Sequence, residues 1–193
     1  MASQIEICNQ ALTKIGSARI TSLADTSKQA KTLAAIYDVK RDAELAAHPW
    51  SFAMARSSIP ASTTVPAFGW TKAFPLPNGF LRLVEVGENY VMYQSGGGEL
   101  FHLEGNAILC NEGSPLRIRY VQRVVNAGLY TPLFVEALAC RLAAEVAEDM
   151  TQSISKREAA WQEWDRAIKL AKRTNAIELP PRPLADGSWW GSR

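Results

Sequence analysis

Two histidines supply all the imidazole groups that this chain offers for proton transfer or metal binding. His48 precedes Pro49, and because proline disfavours helical geometry in the residue before it, a helix should end there. The His48 ring can then bond the last helix carbonyls or face the negative end of the helix dipole. His102 alternates with Phe101 and Leu103 in a predicted strand, so it should face solvent. The pattern favours a structural role for each histidine.

Acidic residues offer another acid–base arrangement. Glu148 and Asp149 lie at the end of one predicted helix, and Glu158 and Glu163 lie on another. Such carboxylates could pair as general acid and base. Carboxylates are also common on solvated helix faces, and that interpretation is favoured.

Neither phosphate-loop nor metal-site spacing is present. The glycines at 96–98 are followed by Glu99 and a strand, whereas a phosphate loop needs Lys-Ser or Lys-Thr and a helix, so a hairpin turn is predicted. Cys8, Cys110 and Cys140 are far apart, which predicts buried free thiols. We therefore expect no catalytic residue, no metal and no cofactor.

Three arginines, Arg117, Arg119 and Arg123, alternate along one predicted strand and should share a side of its sheet. A phosphate-facing patch is one interpretation. A solvated face, or pairing with acidic residues of a neighbouring subunit, is favoured because the net charge is only +2.

The composition is that of an ordinary globular protein. The chain has 193 residues, 47% hydrophobic and 21% charged, which is enough for one domain with a core. No apolar run approaches the ~20 residues of a membrane span, and the N-terminus does not resemble a secretion signal. These features predict a protein made and kept in a cytoplasm, without a membrane segment.

Capping patterns predict two N-terminal helices. Ser3 and Glu6 form a capping box and Gly16 supplies a left-handed stop. Asp25 or Thr26 can cap the second helix, which should end near His48. Its solvent-facing residues are predicted to be Lys31, Asp38, Lys40, Arg41 and Asp42.

Two further helices are predicted after the middle of the chain. Thr131 stands at an N-cap with Pro132 following, and Ser155 with Glu158 fits a second capping box, with the helix fading near Asn175. Apolar spacing predicts a shared core that includes Leu33, Tyr37, Leu138, Leu142, Trp161 and Trp164.

Between these helix pairs the period becomes that of strands. "FLRLVEVG", "NYVMYQ", "ELFHLEG", "NAILC" and "LRIRYVQRV" are separated by short turns, which predicts an antiparallel meander. The fold class is therefore α+β and mainly α: a four-helix bundle with an antiparallel β insertion between helices 2 and 3 and an extended C-terminal tail. Residues 1–176 form one composite domain (helices in 1–49 and 131–176, insert about 50–124), and 177–193 form the tail.

The order of these segments carries a resemblance. "ICNQALTKIGSARITSLAD", "YDVKRDAELAAHPWSFA", "LPNGFLRLVEVG", "LRIRYVQRV" and "YTPLFVEALACRLAAEVA" together resemble the head-to-tail adaptor proteins of short-tailed bacteriophages, of the tail tubular protein A or tail accessory factor type. The resemblance covers nearly the whole chain up to about Asn175. Its best local signature is the HPWSFA stretch at 48–53.

The resemblance implies four helices with a small β insertion, and it implies a structural role in the virion. Subunits of such proteins form a ring, usually dodecameric, beneath the portal; the ring extends the DNA channel without sequence-specific binding and offers a platform for the tail nozzle protein. His48, Pro49, Trp50 and Phe52 are then interpreted as the seam between helices and insert. The alternative is a late phage enzyme, such as a cell-wall hydrolase that uses the clustered carboxylates.

The last segment, "IELPPRPLADGSWWGSR", is rich in proline and glycine and predicts an extended path. Tryptophan and arginine often anchor interfaces. Arg182, Pro183, Trp189 and Trp190 are therefore predicted to contact the portal or a neighbouring subunit, with folding back onto the chain's own helices as the alternative.

Overall fold

The protein is a mixed helix and sheet structure, known here from a computed structural model that describes residues 2–87, the backbone of 90–91, and 100–178. Within that part of the chain the helices are α1 (Gln4–Ile15), α2 (Lys28–Ala47), α3 (Pro132–Thr151) and α4 (Ile154–Glu178). The strands between α2 and α3 are β1 (Met54–Ile59), β2 (Lys72–Pro75), β3 (Phe80–Val86), β4 (Tyr90–Val91), β5 (Phe101–Glu104), β6 (Ala107–Cys110) and β7 (Leu116–Gln122).

Helix boundaries follow the local capping chemistry, with two corrections. The Ser3–Glu6 capping box and the left-handed Gly16 are both present at the ends of α1. The predicted caps of α2 are wrong: Ser27 accepts the Ala30 N–H, while Asp25 accepts backbone N–H groups in the preceding loop.

The predicted capping box at the start of α4 is also wrong: the helix begins at Ile154, and Ser153 rather than Ser155 accepts a hydrogen bond from the Lys156 N–H in its first turn. The helix also continues past Asn175 to Glu178, through two residues assigned to the tail from sequence. Pro132 begins α3 as predicted.

The insert is antiparallel, but it is not a meander. β7 lies between β1 and β3 in a sheet of order β1-β7-β3-β4, and β6 lies between β2 and β5 in a second sheet. The strand nearest the end of the insert therefore pairs with the strand at its start, so the insert leaves and rejoins the helices at one place. Most of "NYVMYQ" and the turn predicted at 96–98 lie outside the described residues.

Helix α3 is the centre of the helical part, since α1, α2 and α4 all pack against it. Its contact surface contains many alanines, which let neighbouring helices approach closely; Ala137, Ala139, Ala143, Ala144 and Ala147 are all buried. Leu33, Tyr37, Leu138 and Leu142 are buried in the same core, as predicted, whereas Trp161 and Trp164 are only half-buried at its margin. Arg41 is 4% exposed, contrary to its predicted solvent-facing position.

The insert has its own smaller core between the two sheets, centred on Phe74, Leu83, Ile108 and Ile118. The three cysteines are free and buried, as expected, and burial raises the pKa of the Cys140 thiol to about 11. None of the helices in the described ranges combines the length and apolar composition needed to cross a bilayer.

Candidate functional site: the helix–sheet seam

Trp50 is the central side chain of the junction between α2 and the insert. It is 1% exposed, and its indole N–H donates to the Glu44 carbonyl at 2.9 Å. Its ring meets Phe134 of α3 edge-on at 4.9 Å, and Phe52 lies against the same Phe134 at 5.0 Å. Both aromatic residues after Pro49 therefore pack into the helical core, which places the start of β1 against α3.

Asn175 of α4 closes this junction from the other side. It is 4% exposed, and its Oδ1 accepts the Ser51 N–H at 2.8 Å. That bond fixes the amide orientation, so Nδ2 faces the Pro49 carbonyl at 3.2 Å and the His48 Nε2 at 3.0 Å. One side chain near the end of the last helix thus contacts three positions around the proline, 48, 49 and 51.

The Asn175 contact determines the protonation state that His48 must hold. Because Nδ2 can only donate, Nε2 of His48 must accept, and the ring must therefore be neutral with its proton on Nδ1. Burial lowers the pKa of His48, and the nearby positive charges of Lys172 and Arg82 lower it further. A protonated ring would set two donors against each other at 3.0 Å.

The last carbonyls of α2 are satisfied by a different residue from the one predicted. Arg82 of β3 places its guanidinium 3.3 Å from the carbonyl oxygens of both Ala46 and Ala47. Among the described residues no hydrogen bond joins the His48 ring to these carbonyls, and its Nε2 faces Asn175 instead. Arg82, which belongs to β3 of the insert, provides the C-terminal cap of α2 and thereby joins the larger sheet to this helix.

A second tie joins α2 to the end of β7. Arg123 donates from Nε to Asp42 at 2.6 Å, and Asp42 also pairs with buried Arg41 at 2.8 Å. Arg123 directly follows the last residue of β7, and its backbone N–H donates to the Gly79 carbonyl at 2.7 Å. Both ends of the insert are thus fixed to α2.

The half-buried Trp161 and Trp164 both lie against the side chain of one arginine, Arg141. The Arg141 guanidinium lies 4.7 Å from the ring centres of both Trp161 and Trp164. It also pairs with Glu145 at 2.8 Å and lies 3.9 Å from Glu44, whose pKa is raised by burial and lowered again in part by Arg141. These two tryptophans therefore pack at the margin of the helical core and also contact the Arg141 guanidinium.

The carboxylates considered for acid–base chemistry are divided between several places. Glu148 pairs with Arg157, and Asp149 with Lys28. Glu148 and Glu158 line one groove of about 520 Å³, whereas Glu163 lies elsewhere and accepts from Lys14 at 2.6 Å. The structure therefore does not unite the four residues in one site.

A different cluster, missed from the sequence, surrounds the Lys14 ammonium. Glu136 and Glu163 both accept from its Nζ, and the Cys140 thiol lies 3.8 Å from Glu136. The two carboxylates and the thiol are mutually within 4.8 Å, a spacing that could hold a metal ion. Burial lowers the pKa of Lys14, but the two hydrogen bonds outweigh it and raise the pKa overall. The ammonium is itself the cation of this cluster.

The remaining candidates lie at the surface or outside the described chain. His102 is exposed on β5, as predicted. Arg182, Pro183, Trp189 and Trp190 lie beyond Glu178, outside the described residues. Asn175 and Arg82 give no signal in the sequence because their partners lie 124 and 36 positions away, where spacing carries no information. Arg141 and its two tryptophans lie on different helices, whose packing the spacing does not predict.

The comparisons with known proteins return no family. No protein-family model matches the chain, and no curated protein matches it in sequence.

Proposed function

We propose that this protein is a structural component of a phage virion, a head-to-tail connector. Its copies form a dodecameric ring beneath the portal protein, at the head–tail junction. The ring extends the channel through which genomic DNA leaves, without sequence-specific binding, and provides the platform for the tail nozzle protein. It is made in the host cytoplasm, involves no membrane, and requires neither catalysis nor a cofactor.

The main support for the proposal is the structure of the seam between α2 and the insert. The order of helical and strand segments along the chain supports it as well. The resemblance implies that HPWSFA forms the junction between the helices and the insert. Trp50 and Phe52 pack on Phe134 of α3, and Asn175 of α4 binds the Ser51 N–H, which are contacts that such a junction requires. We further infer that the four helices act as one bundle, because buried residues of all four belong to a single apolar cluster. A ring subunit that transmits load between head and tail needs its parts joined in this way.

The test is electron microscopy of the purified protein with and without the portal protein of the phage that encodes it. We expect a monomer or weak oligomer alone and added ring density below the portal in the mixture. A stable dodecamer without portal would contradict our expectation that the ring forms only on the portal. Failure to associate with the portal would contradict the connector proposal. Clearing of a cell-wall suspension by the purified protein would favour the hydrolase instead.

Deleting the C-terminal tail gives a more specific test of how the protein attaches to the portal. Removing residues 179–193 leaves α4 complete to Glu178, and we expect unchanged helical circular dichroism with loss of portal attachment. Trp189→Ser with Trp190→Ser should reproduce that loss if these side chains are the anchors. Normal docking by the truncated chain would show that the tail is not the anchor.

A further inference from the structure

The outward face of the larger sheet carries an unbalanced row of charges. Glu85 on β3, Arg119 on β7 and Arg56 on β1 occupy directly opposed positions in the strand register. Arg119 pairs with Glu85 at 2.9 Å, and the Glu85 side chain is only 13% exposed. Arg56 comes next in the row, directly opposite a like charge, and directly opposed like charges destabilise a sheet.

Arg56 has no ion pair among the residues that the structure describes, and it is exposed to solvent. Across the sheet the row therefore consists of one negative charge, Glu85, followed by two positive charges, Arg119 and Arg56, and it ends at β1, the terminal strand. Ser58 lies on the same face of β1, opposite Arg117. These side chains line an open cleft of about 620 Å³ that also includes Gly87.

The backbone of β1 offers a second, independent feature. β1 is the terminal strand of its sheet, and across the described ranges no strand pairs with its other edge. Every second residue of an antiparallel edge strand points its N–H and C=O away from the sheet. Such an edge accepts an added strand, and main-chain hydrogen bonds supply the affinity.

From the free edge and the charge row together, we infer that β1 binds an extended acidic segment of a partner protein, which adds as a further strand beside it. A glutamate or aspartate of that segment, opposite Arg56, completes the row as negative, positive, positive, negative. The segment's other side chains follow the alternation of β1 and place small or apolar groups beside Ala55 and Ser57. This inference does not depend on the connector proposal, since it concerns only the insert.

The test uses an octapeptide of alternating valine and glutamate, fluorescently labelled and titrated with the full chain. Three probes are matched to it: the same peptide with lysine for glutamate, the same peptide with every backbone nitrogen methylated, and an oligothymidylate of equal length. Methylation removes the main-chain donors and keeps the charge, so it separates strand addition from simple attraction.

We expect the glutamate peptide to bind, and the lysine and methylated peptides to bind at least about tenfold more weakly. Arg56→Glu should weaken the glutamate peptide by a similar factor. Arg166→Glu, the same charge change on the exposed face of α4, should leave binding unchanged. Circular dichroism checks that both variants remain folded.

Several outcomes would overturn the inference. Equal binding of the methylated peptide would mean that charge alone attracts it, and equal effects of the two arginine variants would mean that the site is not at β1. Tighter binding of the oligothymidylate, lost with Arg56→Glu, would assign the row to phosphates instead. No binding at millimolar peptide would leave Arg56 as a charge that protects the edge from aggregation.

Discussion

The two hydrophobic cores of this protein differ in how completely their elements are enclosed. In the helical core, α3 is surrounded by α1, α2 and α4, and its small residues bring the helices together. In the insert core, two short sheets cover one another, and β1 and β5 end their sheets at edges. The helical part can therefore hold its shape by its own packing, while the insert depends more on its attachments.

Those attachments are polar as well as apolar, and they come from distant parts of the chain. Arg82 caps α2 from the insert, Arg123 reaches Asp42, and Asn175 binds the turn after Pro49. The insert is therefore oriented by a few polar contacts together with the aromatic packing of Trp50 and Phe52, whereas the helices are oriented by apolar area. The predictions below separate these two kinds of contact.

The largest effect on global stability is expected in the helical core. Leu142→Ala should lower the free energy of unfolding by about 2–5 kcal/mol, because Leu142 is fully buried and its truncation leaves a cavity. Denaturant titration followed by helical circular dichroism measures it. Leu170→Ala, at a side chain 53% exposed on α4, should change the value by no more than about 0.5 kcal/mol. Equal effects of the two variants would contradict the α3-centred core.

A substitution in the insert core should shift the unfolding transition of the helices less than Leu142→Ala does. Ile108→Ala removes a fully buried side chain of β6 and should open the insert locally, with faster amide exchange in the strands than in α3. Leu103→Ala on the paired position of β5, at a side chain 40% exposed, is the matched control. If exchange in α3 rose as much as in the strands, the insert and helices would form one cooperative unit.

Local sequence patterns predicted the elements better than their pairing. The capping box at Ser3, the Pro132 helix start and the alternation of β7 depend on neighbours within a few residues, and all are present. The sheet order depends on which strands meet across long loops, and periodicity carries no such information. β1 and β2 are not among the five segments that periodicity predicts as strands.

At the seam, too, the sequence predicted local features but not the contacts between residues far apart in the chain. Pro49 predicted the end of α2, and aromatic residues at 50 and 52 predicted an anchor. Asn175 gave no signal, since an asparagine in a helix is usually a weak helix former on the surface. Only the fold brings it 2.8 Å from the Ser51 amide. The burial of Arg41 escaped prediction similarly, because its partners, Asp38 and Asp42, were assigned with it to a solvated face.

Removing the Asn175 amide tests the polar attachment itself. Asn175→Ala leaves the Ser51 N–H and the Pro49 carbonyl without their partner and should destabilise the protein by about 1–3 kcal/mol. Denaturation measurements give the loss, and amide exchange at positions 51–54 should rise first. Thr174→Ala, one position earlier on the same helix, serves as the control. A loss no greater than that of the control would mean that the aromatic packing alone holds the junction.

The smallest effect is a pH dependence that originates at His48. Its folded-state pKa lies below its ordinary value, chiefly through burial, so the unfolded chain binds the proton more readily. The contribution to stability is therefore fully present above the unfolded pKa of about 6.5 and is lost as pH falls from there through the folded pKa.

This prediction is checked by following the imidazole resonances by NMR between about pH 5 and 8, with His102→Gln leaving His48 as the single ring. Asn175→Asp supplies the decisive comparison. An aspartate can still accept the Ser51 N–H, but it places a carboxylate against Nε2, so it should raise the His48 pKa and reverse the sign of the pH dependence. If the pKa in Asn175→Asp stayed where it is in the parent protein, the two side chains would not be in contact in solution, and the seam would be held without them.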